Sequence, residues 1–344
     1  MKRRSPPFAL EPTSERHAPG CIDPAEVRFF AGRSHPALAK GIADYLGLPL
    51  DPCHVERFAN DNMRIQLGAS VRGRSVFIVQ SLTPPVSDHL VELLMMLDIA
   101  RSAAAHEVHA VIPYFSYARS DKKDAPRISI AARLVADLLV TAGATHVMTM
   151  QLHSPQVHGF FSVPTDPLTA RGLFVEHLRP GFLDSKETVV VAPDAGGAKS
   201  AARFAGQLHL PVAVASKTRI SDTEVRFSEE TRKQVQGYRR AIIYDDEIGT
   251  GGTVVELCKE LVAGRVEDIV VACTHGLFWG EAKKNLAAIA AVSRIITTDT
   301  TPLPRQRRLA KMTILSVAPI FGEAIRRNHL RQSIGDLFSF WDEE

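Results

Sequence analysis

Residues 241–256 read AIIYDDEIGTGGTVVE, an apolar run that ends in two carboxylates and continues through glycines into a helix-like stretch. We interpret residues 241–244 as a buried strand and Gly251–Thr253 as the start of a helix. The first N–H groups of a helix lack intrahelical partners and lie at its positive end, so they favour phosphate. The carboxylates of Asp245 and Asp246 only accept hydrogen bonds, which suits sugar hydroxyls or a cation. The stretch predicts a phosphorylated-sugar site; an acidic turn without a ligand is the alternative.

The same alternation of apolar strands and helix-like stretches extends along both halves of the chain. Strands of four to eight apolar residues alternating with helices are typical of a parallel sheet covered on both faces. The strand-like runs are VRFFAG, VFIVQS, VHAVIPY and HVMTMQLH in the first half, and TVVVAPD, PVAVAS, RAIIYDDE, EDIVVACTHGLF and RIITTD in the second. Two such series predict two similar α/β halves. Ligands of such sheets bind beyond the carboxyl ends of the strands.

Composition excludes several classes of protein. The 344 residues are 45% hydrophobic and 23% charged, as in ordinary globular proteins, and the formal net charge of +3 does not indicate a nucleic-acid binder. The four cysteines show neither metal-ligand spacing nor a disulfide framework, which fits the reducing cytoplasm. No apolar run reaches the length of a membrane span. The first 26 residues, rich in proline and charge, are predicted to form a disordered tail without a signal-peptide core.

Two polar residues follow other predicted strands. Asp194 ends the run VVVAPD before a glycine turn, where it could bind Mg²⁺, which takes one or two carboxylates with waters and substrate phosphates. Alternatively, Asp194 caps the helix that follows. His153, in QLHSPQ, is a candidate ligand only in the company of other site residues, because a lone histidine is more often structural.

Cationic side chains follow two further strands. The loop after VHAVIPY carries four of them: Arg119, Lys122, Lys123 and Arg127. Such a loop suits a polyphosphate, and a solvated charged loop is the alternative. Lys217 and Arg219 follow the run PVAVAS, where they could stabilise charge that develops on a leaving phosphate.

Taken together, the motifs FAGRSHPALAKGIADYLG, RFANDNMRIQL, PYFSYARSDKKD, TMQLHSPQVHGFF, VVAPDAGGAK, SKTR and YDDEIGTGGT resemble, in this order, the ribose-phosphate pyrophosphokinase family. The resemblance extends from residue 27 to residue 338. It implies two duplicated phosphoribosyltransferase-like domains, each with a mainly parallel sheet flanked by helices. We place these domains at residues 27–170 and 171–328, with residues 329–344 returning to the first. The family forms homo-oligomers, commonly hexamers of dimers.

The resemblance implies transfer of the β,γ-diphosphoryl group of MgATP to the 1-hydroxyl of ribose 5-phosphate, which gives phosphoribosyl diphosphate and AMP. The implied sugar-phosphate ligands are Asp245, Asp246, Gly249, Thr250, Gly251, Gly252 and Thr253. The implied Mg²⁺ ligands are His153 and Asp194, and the residues implied to stabilise the transferred group are Lys217 and Arg219, the latter also near the sugar phosphate. The implied ATP contacts are Arg119 and Ser120, with Phe58, Asn60, Asp61 and Asn62 meeting adenine from a neighbouring subunit. A regulatory phosphate or ADP site would use Ser70, Arg72, Arg127 and Ser333.

The chain departs from the family pattern at five positions within or beside these motifs. Four departures remove an acid, and the fifth replaces a glutamine by Ser120; the positions that lack the acid are Gly249, Gln151, Ser162 and Asn62. Each lost acid reduces repulsion with phosphate but removes a possible cation or hydroxyl contact. Because both aspartates of the pair and the lysine–arginine pair remain, we favour an active variant. A non-catalytic regulatory subunit is the main alternative, and a phosphoribosyltransferase is the second.

Overall fold

The computed structural model describes residues 22–179, 184–219 and 225–338, and it describes residues 217–219, 225 and 226 by their backbone alone. Residues 1–21 of the predicted tail therefore lie outside the described residues. Residues 22–26 do not behave as a tail: Ile22 is buried, and residues 24–26 form a turn that leads into the first strand. No helix of the described chain is long and apolar enough to cross a bilayer.

The chain divides into two compact units. Among the described residues, the first unit contains 22–169, 300–302 and 316–338, and the second contains 170–299 and 303–315. The first division lies one residue from the boundary expected from the sequence. After the short segment 300–302, the final return to the first unit begins at residue 316 rather than at 329, so the whole last helix belongs to it.

The first unit is a five-stranded parallel sheet with helices. Its sheet has the order β1-β4-β5-β6-β7, with strands β1 (Val27–Ala31), β4 (Ser75–Val79), β5 (Glu107–Ile112), β6 (His146–Met150) and β7 (Thr165–Leu168). An antiparallel hairpin, β2 (Cys53–Arg57) and β3 (Met63–Leu67), stands apart from it. The helices are α1 (Pro36–Leu46), α2 (Val86–Ser102), α3 (Ala131–Ala142) and α9 (Ala318–His329).

The second unit has a six-stranded parallel sheet. Its order is β15-β14-β13-β12-β8-β9, with strands β8 (Thr188–Ala192), β9 (Val212–Val214), β12 (Arg240–Ile248), β13 (Asp268–Gly276), β14 (Val292–Thr298) and β15 (Met312–Leu315). An antiparallel hairpin, β10 (Lys217–Arg219) and β11 (Val225–Phe227), is again separate. The helices are α4 (Arg171–Leu178), α5 (Ala198–Leu208), α6 (Glu229–Gln234), α7 (Gly252–Ala263) and α8 (Ala282–Ala287).

Local sequence accounts for the ends of helix α1. The Nδ1 atom of His35 accepts from the N–H of Leu38 (3.3 Å), and Pro36 occupies the first turn, where its missing donor costs nothing. Gly47 adopts a left-handed φ of 67° and donates its N–H to the carbonyls of the last turn, a conformation that glycine reaches without strain. The helix is thereby confined to the amphipathic stretch that packs on the sheet.

Helix α9 packs against α1 at glycine contacts. A Cβ atom on Gly322 would lie 2.3 Å from Cδ1 of Tyr45, and one on Gly41 would lie 3.1 Å from Cβ of Ala318. The two helix backbones therefore approach closely only because these positions lack side chains. At the end of the described chain, Leu337 accepts a hydrogen bond from the N–H of Thr169 (3.1 Å), which ties the terminus to β7.

Candidate active site

The acid pair lies where β12 continues past its neighbour β8. We expected the strand to end at residue 244, but β12 extends to Ile248 because its last residues pair with β13, including Asp245 opposite Cys273. Pairing with β8 stops at Ile243. Asp245 and Asp246 therefore lie, half-buried, at the carboxyl edge of the sheet.

The glycine turn after β12 has the conformation expected for an anion site. Helix α7 begins at Gly252, as the sequence predicts, and Gly251 precedes it with a left-handed φ of 75°. The carbonyl of Gly249 accepts from the N–H of Trp279 (3.0 Å), so the segment after β13 holds the loop in place. The initial N–H groups of α7 have no intrahelical acceptor by helix geometry and point out of the helix toward the loop.

Sequence reasoning missed this supporting role of Trp279. The strand-like run EDIVVACTHGLF, which ends one residue earlier, does not specify a contact with Gly249. The side-chain-free Gly249 lies in the same loop, and a Cβ atom there would be 3.8 Å from Oε1 of Glu247. An acid at this position would add negative charge near an existing carboxylate.

Electrostatic repulsion is concentrated at this edge of the sheet. Burial raises the pKa of Asp245 well above its usual range, and the charges of Asp246 and Asp194 raise it further. The N–H of Asp246 donates to Oδ1 of Asp245 (2.9 Å) and partly opposes this shift. A ligand that donates hydroxyl hydrogen bonds, or a cation, would relieve the repulsion.

Asp194 stabilises the turn before the next helix, and its predicted role as a Mg²⁺ ligand stays a prediction. It follows β8, the strand beside β12, and its Oδ1 atom accepts from the N–H of Gly197 (3.0 Å) in the turn that leads into α5. The carboxylate is half-buried. One oxygen of the Asp194 carboxylate thus holds the turn.

The lysine–arginine pair lies in β10 of the second hairpin. Lys217 pairs with Phe227 and Arg219 with Val225 across the hairpin. The N–H of Ala215 donates to the carbonyl of Ala192 (2.9 Å), so the backbone enters the hairpin beside the end of β8, which precedes Asp194. The backbone thus brings the pair to the same edge of the second sheet.

The predicted polyphosphate loop follows β5 in the first unit. Arg119 is exposed at the end of a short 3-10 helix, Ser116–Arg119, and residues 122–129 are exposed. The hydroxyl of Ser120 donates to the carbonyl of Ser129 (3.3 Å) and accepts from the N–H of Ala131 (3.3 Å). Ser120 therefore closes the base of this loop, a structural role that its sequence context did not reveal.

His153 lies in the exposed segment after β6. Two residues earlier, Gln151 has a left-handed φ of 41°, which is uncommon outside glycine. Its Oε1 atom accepts from the hydroxyl of Thr169 (3.1 Å), and its N–H donates to the carbonyl of Leu168 (2.9 Å). Gln151, which replaces an acid of the family pattern, is thus bound to the end of β7.

The predicted adenine contacts form the tip of the first hairpin. Phe58 donates its N–H to the carbonyl of Asn62 (2.9 Å), and its side chain is 50% exposed. Asp61, with a φ of 69°, is bound through Oδ1 to Nη1 of Arg57 (2.5 Å). Exposed Asn60 caps the N–H of Asn62 (3.3 Å). The turn is therefore braced by its polar residues, and it presents an aromatic ring to the outside.

The four predicted regulatory residues are all exposed and all belong to the first unit: Ser70, Arg72, Arg127 and Ser333. The carbonyl of Ser70 accepts from Nε of Arg28 (3.1 Å), and that of Ser333 accepts from Nη1 of Arg327 (3.2 Å). These contacts hold the local backbone. They leave the regulatory assignment a prediction.

The structure assigns the two proposed Mg²⁺ ligands to different units, His153 to the first and Asp194 to the second. Within the described ranges, no three His, Cys, Asp or Glu side chains gather as a metal site.

Comparison with known proteins finds similar sequences along most of the chain. The model for the N-terminal domain of ribose phosphate pyrophosphokinase matches residues 27–143, and that for the phosphoribosyl synthetase-associated domain matches residues 232–339. A putative ribose-phosphate pyrophosphokinase of Streptomyces coelicolor is 49% identical over 91% of this chain and 98% of its own. The ribose-phosphate pyrophosphokinase of Deinococcus radiodurans is 46% identical over 90% and 97%.

A solved structure extends the likeness to the fold. The crystal structure of phosphoribosylpyrophosphate synthetase from Mycobacterium smegmatis matches with a TM-score of 0.83 and 35% identity, over 89% of this chain and 99% of that one. The expectation of two phosphoribosyltransferase-like α/β domains is confirmed. By the breadth of these matches, the chain belongs to the ribose-phosphate pyrophosphokinase family.

Proposed function

We propose that this enzyme transfers the β,γ-diphosphoryl group of MgATP to the 1-hydroxyl of ribose 5-phosphate. One observation carries the proposal: a half-buried pair of acids and a glycine turn at a helix start meet at the carboxyl edge of the second sheet. A phosphorylated sugar satisfies both parts of this arrangement. The 1-hydroxyl oxygen bonds to the β-phosphorus, the bond from that phosphorus to the α,β-bridging oxygen breaks, and AMP leaves.

In this proposal the second unit binds the sugar phosphate. Residues 249–253 surround the 5-phosphate, with N–H donors at the start of α7, while Asp245 and Asp246 accept from the ribose hydroxyls. Lys217 and Arg219 stabilise negative charge on the transferred group. Phosphoryl transfer depends mainly on positioning and charge neutralisation, so the proposal requires no dedicated general base.

The first unit supplies the nucleotide contacts. Arg119, with Ser120 at the base of its loop, faces the phosphates, and Phe58 with residues 60–62 meets adenine from a neighbouring subunit. His153 and Asp194 are the proposed Mg²⁺ ligands. The ion, when bound, neutralises phosphate charge. A homo-oligomer, a hexamer of dimers, and a cytoplasmic location complete the proposal.

The named relatives support the kinase over the alternatives, because each is called a ribose-phosphate pyrophosphokinase. A phosphoribosyltransferase would have no use for the predicted adenine contacts at the tip of the hairpin β2–β3 or for the Arg119 loop. A regulatory subunit would not require the acid pair to bind sugar. The five departures from the family pattern are then adjustments of nucleotide or metal handling.

³¹P NMR of the purified protein with MgATP and ribose 5-phosphate tests the proposal. AMP and a new diphosphate ester should appear together in equal amounts. ADP without the ester would mean attack at the γ-phosphorus and would overturn the chemistry. If ATP and the sugar phosphate persist although both bind, the regulatory-subunit alternative replaces it.

A further inference from the structure

Helix α2 of the first unit carries two carboxylates, one helical turn apart, that the proposed reaction does not use. Glu92 is fully buried, whereas the side chain of Asp88, in the first turn of the helix, is 40% exposed. A buried carboxylate costs much free energy unless it is paired and hydrogen-bonded. The partners of the two carboxylates therefore show what this side of α2 stabilises.

Glu92 binds the loop after β1 through both of its oxygens. Oε1 accepts from the N–H of Arg33 (2.8 Å), and Oε2 accepts from Nε of the same residue (2.9 Å). These two bonds fix the direction of the guanidinium, whose Nη2 donates to Sδ of Met63, the first residue of β3 (3.2 Å). The buried acid thus acts on the hairpin β2–β3 through Arg33.

Asp88 holds the opposite strand of the same hairpin. Its Oδ2 atom accepts from Nη2 of Arg57, the last residue of β2 (2.6 Å). Nη1 of Arg57 donates to Oδ1 of Asp61 in the hairpin tip (2.5 Å) and to the carbonyl of Asp61 (3.3 Å). Arg57 and Met63 are partners in the strand register. The last residue pair before the tip is therefore tied to α2 on both of its strands.

Apolar packing anchors the base of this hairpin but not its tip. Ile65 belongs to the core cluster that α2 helps to form, and Val55 and Leu67 pack against that cluster. Residues 58–62, by contrast, are all exposed. Because the tip buries no side chain, its position depends on its polar contacts.

We propose that Asp88 and Glu92 form a carboxylate clamp that positions the tip of the first hairpin for the nucleotide. Each carboxylate acts through an arginine, so both are positioning residues and neither touches the substrate. The inference rests on the proposed contact of adenine with residues 58–62. A tip that is already ordered loses less entropy when ATP binds, so loss of the clamp should weaken ATP binding without slowing the chemical step.

Hydrogen exchange of the ligand-free, full-length protein tests the clamp without any need for activity. The N–H groups of Phe58 and Asp61 are hydrogen-bonded within the tip, so their exchange rates report its order. D88N should raise these rates roughly 2–10-fold. D98N is the matched control and should not change them, because Asp98 of the same helix pairs with Arg101 (2.9 Å). Equal exchange in D88N and the native chain would overturn the proposal.

E92Q tests the buried half of the clamp. The amide of glutamine offers one acceptor oxygen to the two donors of Arg33, and it removes the negative charge that faces the guanidinium. The tip should exchange faster, as in D88N, and the unfolding temperature should fall because the site is buried. Unchanged tip exchange in E92Q would refute the role of Glu92, and D88N decides the proposal if E92Q does not fold.

Steady-state kinetics distinguish positioning of the tip from a general loss of structure. D88N should raise the KM for ATP roughly 2–10-fold and leave kcat and the KM for ribose 5-phosphate unchanged. D88E, which keeps the carboxylate, should restore the KM for ATP. Equal rises in both KM values, with a lower unfolding temperature, would overturn the proposal in favour of a general structural role. Faster tip exchange with an unchanged KM for ATP would instead refute the adenine contact in the proposed function.

Discussion

The two units match strand for strand, but their carboxyl edges carry different chemistry. In the first unit the sheet contains β1, β4, β5, β6 and β7 in that order, and in the second β8, β12, β13, β14 and β15, with β9 added beside β8. Each unit has an antiparallel hairpin between its first and second strands of this series. This repetition is the structural mark of a duplicated domain.

The carboxyl edges have diverged. The second sheet ends in carboxylates, among them Asp194, Asp245 and Asp246, and in a glycine turn, whereas the first ends in Arg119, Gln151 and His153. The hairpins differ too: the first presents Phe58 at its tip, and the second contains Lys217 and Arg219. In the proposed function, one fold thus supports a sugar-phosphate end and a nucleotide end, because loops after the strands can change without altering the sheet.

In each repeat, the helix that follows the last strand belongs to the other unit. Helix α4 follows β7 but belongs to the second unit, where it packs against α5 and brings Phe174 against Tyr244 of β12. Helix α9 follows β15 in the same way and packs against α1 in the first unit. Each unit therefore receives its covering helix from the end of the other repeat.

The largest expected effect comes from the second hairpin. If Lys217 stabilises the transferred group, K217A should lower kcat by roughly 10²–10³-fold, the usual loss for one charge-stabilising group. Steady-state kinetics of AMP release measure it. K233A, at an exposed lysine of the adjacent helix α6, should retain full activity. Full activity of K217A would assign phosphoryl transfer to other residues.

Substitution of Asp245 should weaken sugar-phosphate binding but stabilise the ligand-free protein. D245N should raise the KM for ribose 5-phosphate by roughly 10–100-fold, because a hydroxyl acceptor is lost. It should also raise the unfolding temperature of the ligand-free protein at pH 7. The pKa of Asp245 is raised by folding, so its ionisation opposes the folded state as pH rises through that pKa. At pH 4 the gain in stability should be smaller.

Asp268, at the amino end of neighbouring β13, provides the opposite control. Burial raises its pKa, but hydrogen bonds from Ser293 and Arg240 outweigh this and leave the pKa lowered. D268N should therefore lose about 1 kcal/mol of stability at pH 7, with the KM for the sugar unchanged. The same sign of stability change in D245N and D268N would contradict the repulsion described at the carboxyl edge.

Glycine substitutions can compare how tightly the equivalent helices α1 and α5 are packed. Gly322 of α9 lies against α1, and Gly206 lies within α5. G322A would place a Cβ atom 2.3 Å from the ring of Tyr45 and should cost about 1–3 kcal/mol, because α9 must move away from α1. G206A, within α5 and free of any atom within 4 Å of the added Cβ, should stabilise by about 0.5–1 kcal/mol. Denaturant unfolding measures both. A neutral G322A would mean that the two helices separate without cost.

The smallest effect is expected at the first hairpin. F58A should raise the KM for ATP about tenfold, the value of one aromatic–base contact of roughly 1–3 kcal/mol. The KM for ribose 5-phosphate and the unfolding temperature should stay unchanged, because half of the Phe58 ring is already exposed. A larger change in the sugar KM than in the ATP KM would reverse the assignment of the two ends.

Several features of the site followed from sequence alone. The glycine turn and the helix start at Gly252 were predicted, because glycine conformation and unpaired helix N–H groups are local properties. The parallel α/β architecture followed from the alternation of apolar runs. The hairpins β2–β3 and β10–β11 were not predicted, since their strands are short and lie outside the main sheets.

The amino-acid sequence by itself determined the local conformations and the chemistry of the strand ends, because hydrophobic period, glycine and carboxylate content act over a few residues. Only the tertiary structure decided that β12 continues to Ile248 along β13, that α9 covers α1, and that Glu92 meets Arg33. These depend on contacts between residues far apart in the chain. Strand pairing and burial set these contacts and the charge states of the residues that make them. Neither is encoded in any short stretch of sequence.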